Sequence, residues 1–462
     1  MRNPLTGALL ALLVTTPCFA ADLTPDQSQA REIYAKLISY KTSEGLGQVP
    51  VMAGWLADEF RKAGFPDADI HLLPVGETAS LVVRYRGDGS GGKPILLMAH
   101  MDVVAADPND WKRDPFKLIE ENGYFFGRGT SDVKDGIATL TATFLRLKKE
   151  GFVPTRDLVI VFTGDEETEM ATTRDLVDNH RDLVDADYAL NYDGGGGTLE
   201  EDGTARTFSI QTAEKAYADF ELSTHDAGGH SSRPTPTNAI YQLADALKNV
   251  QAYRFPTKWN DTTLAEFAAE GKVAPGELGA AMRAYAKNPQ DNAAVEALAA
   301  DPGNVGRTRT TCVATMLRGG HGRNALPQSA TANVNCRIFP GTSIEDVRNT
   351  LQEVAGKNVE VKTIGKPVSS EASPLRPDVV DAVTRAVHTL YPNIAIVPNQ
   401  SSGATDGMYF RNAGIPTYGV GGMFMKDSDA FAHGLDERVP VKGFYDGLSY
   451  WYTLLKDVGG KH

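Results

Sequence analysis

Short apolar runs alternate with longer amphipathic segments between Ser80 and Asp193, and this alternation limits the fold more than any other feature of the sequence. The runs from Ile95 to Ala99 and from Leu158 to Phe162 have the length and continuous apolar character of buried strands. Between them, apolar residues recur at helical spacing, at Ile137, Leu140, Phe144 and Leu147. The pattern predicts an α/β layer structure.

A different pattern occupies about residues 212–365. Apolar and polar residues alternate from Ala218 to Leu222, which is typical of a half-buried strand. This stretch is followed by a predicted helix at residues 237–250, strands at 310–317 and 329–339, a helix that Ser343 opens, and a strand at 359–364. The resulting β-α-β-β-α-β order predicts a small ferredoxin-like α+β domain.

The length of 462 residues exceeds the usual size of one hydrophobic core, so two domains are expected. Because the α/β pattern resumes after Pro367, the small domain interrupts the larger one. We expect the larger domain at residues 21–211 and 366–462 and the smaller one at 212–365. A helix-prone, alanine-rich insert lies in the smaller domain at about residues 254–307, and its sequence predicts no function.

The first 20 residues are typical of a secretory signal peptide, with Arg2 at the start, an apolar stretch from Leu5 to Val14 and a small-residue cleavage site at Ala20. We expect cleavage after Ala20 and a periplasmic or secreted protein. No later segment has about 18 uninterrupted apolar residues, so no membrane anchor is expected. The formal net charge of −13, without a dense Lys/Arg run, disfavours nucleic acid as a partner.

Removal of residues 1–20 leaves two cysteines, Cys312 and Cys336, in predicted strands. If these strands pair antiparallel with Leu317 opposite Thr331, Cys312 also lies opposite Cys336, and a cross-strand disulfide can form. A slip of one residue would turn the two side chains to opposite faces of the sheet, which would leave two buried thiols. The sequence leaves both alternatives open.

Acidic and imidazole side chains follow several of the predicted elements. Each has an ordinary interpretation on its own, as a polar strand end, a helix cap or a solvated turn. Since the carboxyl ends of strands in α/β sheets are where binding sites form, a shared site explains them better. Oxygen and nitrogen ligands without thiolate suit zinc, with cobalt or manganese as alternatives. The candidate metal ligands are His100, Asp132, Glu167, Asp193 and His433.

Residues 87–92, GDGSGG, match the G-x-G-x-x-G dinucleotide fingerprint literally. The fingerprint must open a helix, whereas here Lys93 and Pro94 lead directly into another apolar strand. We therefore reject a dinucleotide site and expect a hairpin turn.

Five motifs make the chain recognisable over nearly its whole mature length. They are H-x-D at His100, G-R-G-x-x-D-x-K-x-G at residues 127–136, D-E-E at 165–167, G-H-S-S-x-P at 229–234 and H-x-x-x-E-R at His433. In this order they resemble the di-zinc metallopeptidase and amidohydrolase family of acetylornithine deacetylase, succinyl-diaminopimelate desuccinylase, carboxypeptidase G, carnosinase and aminoacylase. The resemblance implies a zinc-exopeptidase-like catalytic domain interrupted by a ferredoxin-like lid and dimerisation domain.

The resemblance also implies roles for the site residues. Asp132 would bridge two zinc ions, with His100 and Asp193 completing one coordination sphere and Glu167 and His433 the other. Glu166 would be the general base, because a carboxylate free of metal can accept a proton from water. Apart from the resemblance, the position of Asp102 two residues after His100 suits it to orient the ring of His100.

Further roles implied by the resemblance belong to the lid. His230 of G-H-S-S-x-P matches a histidine that in several relatives reaches the partner subunit's site, which predicts a homodimer. Asn324 and Arg337 match lid positions that contact the substrate's amide or carboxylate, and the guanidinium fork suits a carboxylate. For Arg337, a surface strand position is the ordinary alternative, and the insert puts the subunit-crossing role of His230 in question.

The predicted function is therefore hydrolysis of a peptide or amide bond by an exported enzyme. Asp193 stands where the deacylases and carboxypeptidase G carry Glu, whereas many dipeptidase-like relatives carry Asp, which favours dipeptides or a terminal residue as substrate. The alternative substrate is an N-acyl amino acid. A binding protein that kept the fold without catalysis is disfavoured, because every ligand position and the base carry suitable side chains. No G-x-S-x-G elbow for a serine hydrolase occurs.

Overall fold

A computed structural model describes residues 23–460, so the predicted signal peptide at residues 1–20 lies outside the described residues. The helices are α1 (Pro25–Ile38), α2 (Val49–Lys62), α3 (Lys134–Lys149), α4 (Ala171–Asn179), α5 (Arg181–Val184), α6 (Ala239–Ala252), α7 (Asp261–Val273), α8 (Gly276–Lys287), α9 (Asn292–Ala299), α10 (Pro302–Thr308), α11 (Ile344–Ala355), α12 (Pro377–His388), α13 (Gly407–Asn412) and α14 (Val441–Gly459).

The strands are β1 (Ile70–Val75), β2 (Thr78–Tyr85), β3 (Ile95–His100), β4 (Ile119–Glu121), β5 (Tyr124–Phe126), β6 (Leu158–Thr163), β7 (Tyr188–Asn191), β8 (Gly196–Leu199), β9 (Ala205–Glu214), β10 (Ala216–His225), β11 (Gly229–His230), β12 (Thr311–Gly319), β13 (Ala325–Leu326), β14 (Ser329–Ile338), β15 (Glu360–Ile364), β16 (Ala395–Ser401), β17 (Thr417–Gly419), β18 (Phe424–Lys426) and β19 (Arg438–Pro440). No described helix combines the length and the apolar character that crossing a membrane requires.

The large sheet contains ten strands in the order β1-β2-β6-β3-β7-β17-β9-β8-β18, with β16 paired to β9. Side chains of β3 alternate between two cores, with Leu97 facing one helix layer and Leu96 and Met98 facing the other. The first layer contains α1, α2, α3, α12 and α14, and the second contains α4, α5 and α13. Burial on both faces explains the continuous apolar runs of β3 and β6, and the predicted α/β layers are confirmed.

Four antiparallel strands form a second sheet in the order β12-β14-β10-β15, covered by α6 and α11. Its elements follow the chain in the predicted β-α-β-β-α-β order. Ser343 caps α11, accepting a hydrogen bond from the backbone N–H of Asp346 at 3.0 Å. Strand β9 ends at Glu214 and β10 begins at Ala216, so the chain passes between the two sheets at Lys215.

The insert folds into α7, α8, α9 and α10 around a small apolar core of its own. Helix α7 lies against β16 of the large sheet, where Asn260 donates to Gln400 at 2.9 Å and Asn399 donates to Glu266 at 2.7 Å. On its other side, Lys258 donates to Thr342 at 2.8 Å. The insert therefore contacts both the large sheet and the small domain beside the connection at Lys215.

Residues 87–92 do not form a hairpin turn, so that expectation is wrong. Strand β6 lies between β2 and β3 in the sheet, and these glycines connect strands that do not pair with each other. The segment lies instead against the chain just before β6, where the backbone N–H of Gly91 donates to the carbonyl of Thr155 at 2.7 Å. It does not open a helix, as expected.

Cys312 and Cys336 form a disulfide between β12 and β14, which decides between the two alternatives. The two residues face each other in the register, as the predicted pairing requires. At the other end of the strand the expected register is wrong by one residue, since Leu317 lies opposite Ala332. A bulge between Ala314 and Met316 accounts for this shift.

The disulfide is expected to stabilise the small domain. Replacing both Cys312 and Cys336 with Ala should lower the free energy of unfolding by about 3 kcal/mol, because the bond closes a loop with a sequence separation of 24. Denaturant unfolding of the two proteins, each lacking residues 1–20, measures the difference. Two thiols that titrate in the denatured wild type before any reduction would contradict the assignment.

Candidate metal centre

Three parallel strands that are neighbours in the large sheet, β6, β3 and β7, end at one edge of it. His100 is the last residue of β3, Glu166 and Glu167 follow β6, and Asp193 follows β7. Because adjacent parallel strands bring their carboxyl ends together, residues from three separate motifs meet at this edge. These side chains therefore lie at the carboxyl ends of strands, where the sequence predicts the site.

Asp132 lies between the two imidazoles. Its Oδ1 is 2.9 Å from Nε2 of His100, and its Oδ2 is 3.0 Å from Nε2 of His433. Nε2 of His433 also lies 2.8 Å from Oε1 of Glu167. One carboxylate oxygen thus faces each histidine, which is the arrangement that a bridging ligand between two cations requires.

Two sets of three residues could each hold a cation, because within each set one ligand atom per residue lies within 4.8 Å of the others, and both sets include His100. One set combines His100 with Glu166 and Asp193, and the other combines it with Asp132 and Glu167. Glu166, the predicted base, therefore lies within reach of the position formed by His100 and Asp193.

Asp102 does more than orient His100. Its carboxylate accepts hydrogen bonds from the backbone N–H groups of Glu166 at 3.1 Å and Glu167 at 3.0 Å. Nδ1 of His100 lies 3.1 Å from the backbone carbonyl of Asp102 and 3.4 Å from its carboxylate. Asp102 thus fixes both the ring and the loop that carries the two glutamates.

The first carboxylate of the D-E-E motif turns away from this cluster. Asp165 accepts from the backbone N–H groups of Ala171 at 2.6 Å and Thr172 at 3.0 Å, at the start of α4. Of the three adjacent carboxylates, two therefore remain close enough to the cluster to repel each other, those of Glu166 and Glu167.

The crowded carboxylates have perturbed acidities. Burial raises the pKa of Asp193 to about 7, and the charge of Asp132 adds to this effect. Burial also raises the pKa of Glu167, whereas the pKa of Asp132 falls because hydrogen bonds from His100 and His433 outweigh its burial. Contacts with Asp132 and Glu167 raise the pKa of His433 to about 9.

The donor set fits divalent cations. It contains only carboxylate oxygens and imidazole nitrogens, which suit zinc, cobalt or manganese. Several carboxylates converge on a partly buried edge of the sheet, where a cation would offset their mutual repulsion. The side chain of His433 is 54% exposed, so the site opens to solvent on that side.

Two of the predicted lid residues, His230 and Asn324, belong to the small domain. His230 is exposed on β11, its Nδ1 2.8 Å from Oγ of Ser232, and the backbone carbonyl of Asn324 accepts from the backbone N–H of Ser231 at 2.9 Å. The two predicted lid residues are thus neighbours, because β11 pairs with β13.

Arg337 is directed at the connection between the domains. Its guanidinium donates to the carbonyl of Ser402 at 3.3 Å and lies over the ring of Tyr217, 4.8 Å from the centroid. Ser402 belongs to a loop that leads to Asp406, a buried carboxylate that accepts from Thr163 at the end of β6. Arg337 therefore contacts the start of the loop that leads to Asp406.

Three buried charged residues around the site had no predicted role: Arg128, Asp406 and Glu437. Arg128 and Glu437 form an ion pair at 2.5 Å between the G-R-G and H-x-x-x-E-R motifs. Both residues belong to motifs that the sequence already identified, and their place in those motifs could have indicated a role at the site. Asp406 has no comparable motif signal.

Comparisons with known proteins agree with this architecture. The model of the family described as Peptidase family M20/M25/M40 matches residues 96–457. A probable carboxypeptidase S-like 2 from Dictyostelium discoideum is 27% identical over 99% of this chain and 93% of its own length. An N-fatty-acyl-amino acid synthase/hydrolase, PM20D1 from Xenopus tropicalis, is 26% identical over 82% of this chain and 75% of its own.

Among solved structures, an M20 family metallo-carboxypeptidase from Sulfolobus solfataricus has the same fold, with a TM-score of 0.71 and 19% identity. The match covers 93% of this chain and 99% of the other.

Proposed function

The chain belongs to peptidase family M20/M25/M40, a family of metal-dependent hydrolases, and from this premise we propose that it is an exported di-zinc exopeptidase. It would cleave the amide bond that joins a terminal amino acid, with its carboxylate free, to the rest of a short peptide. The observation that carries the proposal is the position of Asp132 between His100 and His433, with Glu166 beside the cluster.

Within this proposal the ligands are those of the sequence prediction. Asp132 would bridge the two ions, His100 and Asp193 would hold one of them, and Glu167 and His433 would hold the other. Two such ions would polarise the scissile carbonyl and lower the pKa of the attacking water. Glu166 accepts the proton of that water as the C–O bond forms, and it passes the proton to the leaving nitrogen as the C–N bond breaks.

The substrate class follows from Arg337. Its guanidinium lies over Tyr217 and contacts the loop that leads to Asp406, and a guanidinium can donate two parallel hydrogen bonds to a carboxylate. The carboxypeptidase S-like relative is named for releasing a terminal residue, which agrees with recognition of a free carboxylate on the leaving group.

An N-acyl amino acid is the second candidate substrate, and the similarity to PM20D1 favours it. Such a molecule also releases an amino acid with a free carboxylate, so it needs the same contact with Arg337. The two candidates differ only in the acyl side, which is an aminoacyl group in one and a fatty acyl group in the other.

Activity is expected to depend on metal and on the free carboxylate. A chelator should lower turnover of a dipeptide more than about a hundredfold, and added zinc, cobalt or manganese should restore it, because the ions supply several kcal/mol of stabilisation. Amidation of the dipeptide's C-terminus should lower kcat/KM by about tenfold or more through the lost charged hydrogen bonds.

A panel of dipeptides, their C-terminal amides and N-fatty-acyl amino acids, each with and without chelator, measures both effects. Turnover that does not change on chelation would overturn the metal-dependent mechanism for either substrate. Preference for the fatty-acyl compounds would replace the peptide substrate by the second candidate. Metal analysis of the purified protein identifies the ions bound.

The proposal includes a homodimer formed through the small domain. Among the described residues β12 pairs only with β14, so its outer edge is open, and it carries exposed Val313, Met316 and Leu317. Open strand edges and exposed apolar side chains are common features of symmetric dimer interfaces. In such a dimer His230 would be available to the partner's site.

Replacing Leu317, which is 67% exposed, with Lys is therefore expected to shift the protein from dimer to monomer. The change adds a charge to the proposed interface. Sedimentation velocity measures the molecular mass. The matched control, Val153→Lys, alters a residue of the large domain that is 63% exposed and should leave a dimer. A wild-type protein that sediments as a monomer would contradict the proposal.

Export is supported by the signal peptide predicted at residues 1–20 and by the disulfide between Cys312 and Cys336, since disulfides persist in oxidising compartments. We propose that the mature enzyme works in the periplasm or outside the cell.

A further inference from the structure

Glu437 is a fully buried carboxylate beside the metal centre that is not one of the proposed ligands. It accepts hydrogen bonds from the backbone N–H of Ser131 at 2.7 Å, from its hydroxyl at 3.1 Å and from the backbone N–H of Gly129 at 3.2 Å. All three donors come from the few residues before Asp132. Glu437 therefore fixes the segment that carries the bridging carboxylate.

Arg128 is the partner of Glu437, and it contacts the other side of the site. One terminal nitrogen lies 2.5 Å from Glu437, and the other donates to the carbonyls of His433 at 3.2 Å and Gly434 at 3.3 Å. The guanidinium is only 3% exposed. Arg128 therefore fixes the segment that carries His433.

The backbone of His433 needs such support. Its φ is +63°, in the left-handed region that residues with a side chain rarely adopt. Strained conformations of this kind persist when surrounding contacts determine them. Two of the contacts at this turn are the hydrogen bonds that Arg128 donates to the His433 and Gly434 carbonyls.

Backbone pairing already brings the two segments together, but it stops before the ligands. Strand β19, directly after Glu437, pairs with β5, directly before Gly127. The last backbone bond is donated by Gly127 to the carbonyl of Glu437 at 3.1 Å. Between this bond and the residues Asp132 and His433, the two described segments are not joined by strand pairing. The contacts that join them there include the Arg128–Glu437 pair.

We infer that Arg128 and Glu437 are positioning residues that set the distance between Asp132 and His433 and thereby the affinity of the metal position that these two share with Glu167. The inference rests on the proposed metal centre. Partners behind the ligands of a metal typically alter its affinity by about 10- to 100-fold when they are lost.

The test compares zinc binding by Glu437→Gln with that of the wild type. Both proteins are stripped of metal and titrated with zinc alone, by calorimetry and by metal analysis after dialysis, without substrate. The variant should bind one equivalent as the wild type does and the second equivalent about 10- to 100-fold more weakly. Cobalt spectra of the half-loaded and fully loaded proteins show which position has weakened.

Glu266→Gln is the matched control. Glu266 is also buried and paired with an arginine, with Oε1 3.0 Å from Arg307, but it lies in the insert. Its loss should lower the melting temperature of the metal-free protein without changing either zinc affinity. Ser131→Ala, which removes only the hydroxyl contact with Glu437, provides a milder variant if Glu437→Gln fails to fold. It should weaken the second equivalent in the same direction by a smaller factor.

If Glu437→Gln, or Ser131→Ala in its place, loses thermal stability but binds both equivalents with wild-type affinity, the pair is structural and the inference is wrong. A wild-type protein that binds fewer than two equivalents would instead contradict the di-zinc proposal itself. Because zinc binding is measured without substrate, the two failures are distinguishable from each other and from an error in the substrate class.

Discussion

Replacing Glu166 with Gln is expected to lower kcat by about 10²- to 10⁴-fold, the range typical of a lost general base, while both metal positions stay occupied. The amide cannot accept the proton of the attacking water or deliver it to the leaving nitrogen. Glu166 lies beside His100 and Asp193 in a site that burial and neighbouring carboxylates make unfavourable for negative charge, so its pKa is raised well above the usual value. A pKa above that of an ordinary carboxyl makes the carboxylate a stronger base toward the attacking water.

Steady-state kinetics together with metal analysis measures this effect, and Glu169→Gln is the matched control. Glu169 stands in the same loop but is exposed, and its replacement should leave kcat within a factor of about two. If Glu166→Gln loses an ion together with its activity, Glu166 is a ligand of the position formed by His100 and Asp193. Turnover at the wild-type rate would exclude it as the base.

The large sheet could be predicted because its strands are buried on both faces. Continuous apolar runs such as Ile95 to Ala99 are typical of strands that are covered on both faces, and the intervening helix shows the helical period. The order of the strands in the sheet was harder to predict. Residues 87–92 have the composition of a hairpin turn, and nothing local indicates that β6 pairs between the strands that they connect.

The candidate ligands could be identified because metal-binding side chains are few and stand in recognisable motifs. The contacts behind them could not. Asp102 was expected to act on His100, yet its carboxylate binds the backbone of Glu166 and Glu167, which depends on the approach of β3 to β6. Backbone hydrogen bonds of this kind leave no trace in residue types, since every residue other than proline offers the same N–H group.

The insert shows a similar limit. Its helices could be expected from alanine content and its breaks from proline, but its position beside Lys215 follows from tertiary contacts. Asn399 reaches Glu266 across more than a hundred residues of chain, at 2.7 Å. Polar side chains that join distant segments have no spacing that a sequence pattern could reveal.

Replacing Asp132 with Asn is expected to have the other large effect, because this residue faces both imidazoles. The amide nitrogen cannot bind a cation, so the substituted side chain would offer one oxygen where Asp132 offers two, at 2.9 Å from His100 and 3.0 Å from His433. We expect the variant to retain at most one ion per chain. If the lost ion supplies about 4 kcal/mol of transition-state stabilisation, turnover falls by about a thousandfold.

Metal analysis after dialysis and steady-state kinetics on the preferred dipeptide measure these two losses together. Asp110→Asn, at an exposed position of the same domain, is the control and should keep both ions and full activity. The comparison with Glu166→Gln separates the two roles, because loss of the base removes turnover from a protein that keeps its metals, whereas loss of the bridge removes a metal first. An Asp132→Asn protein that binds two ions as tightly as the wild type would place the bridge elsewhere, and Glu167, which shares Nε2 of His433 with Asp132, would then be the residue to test.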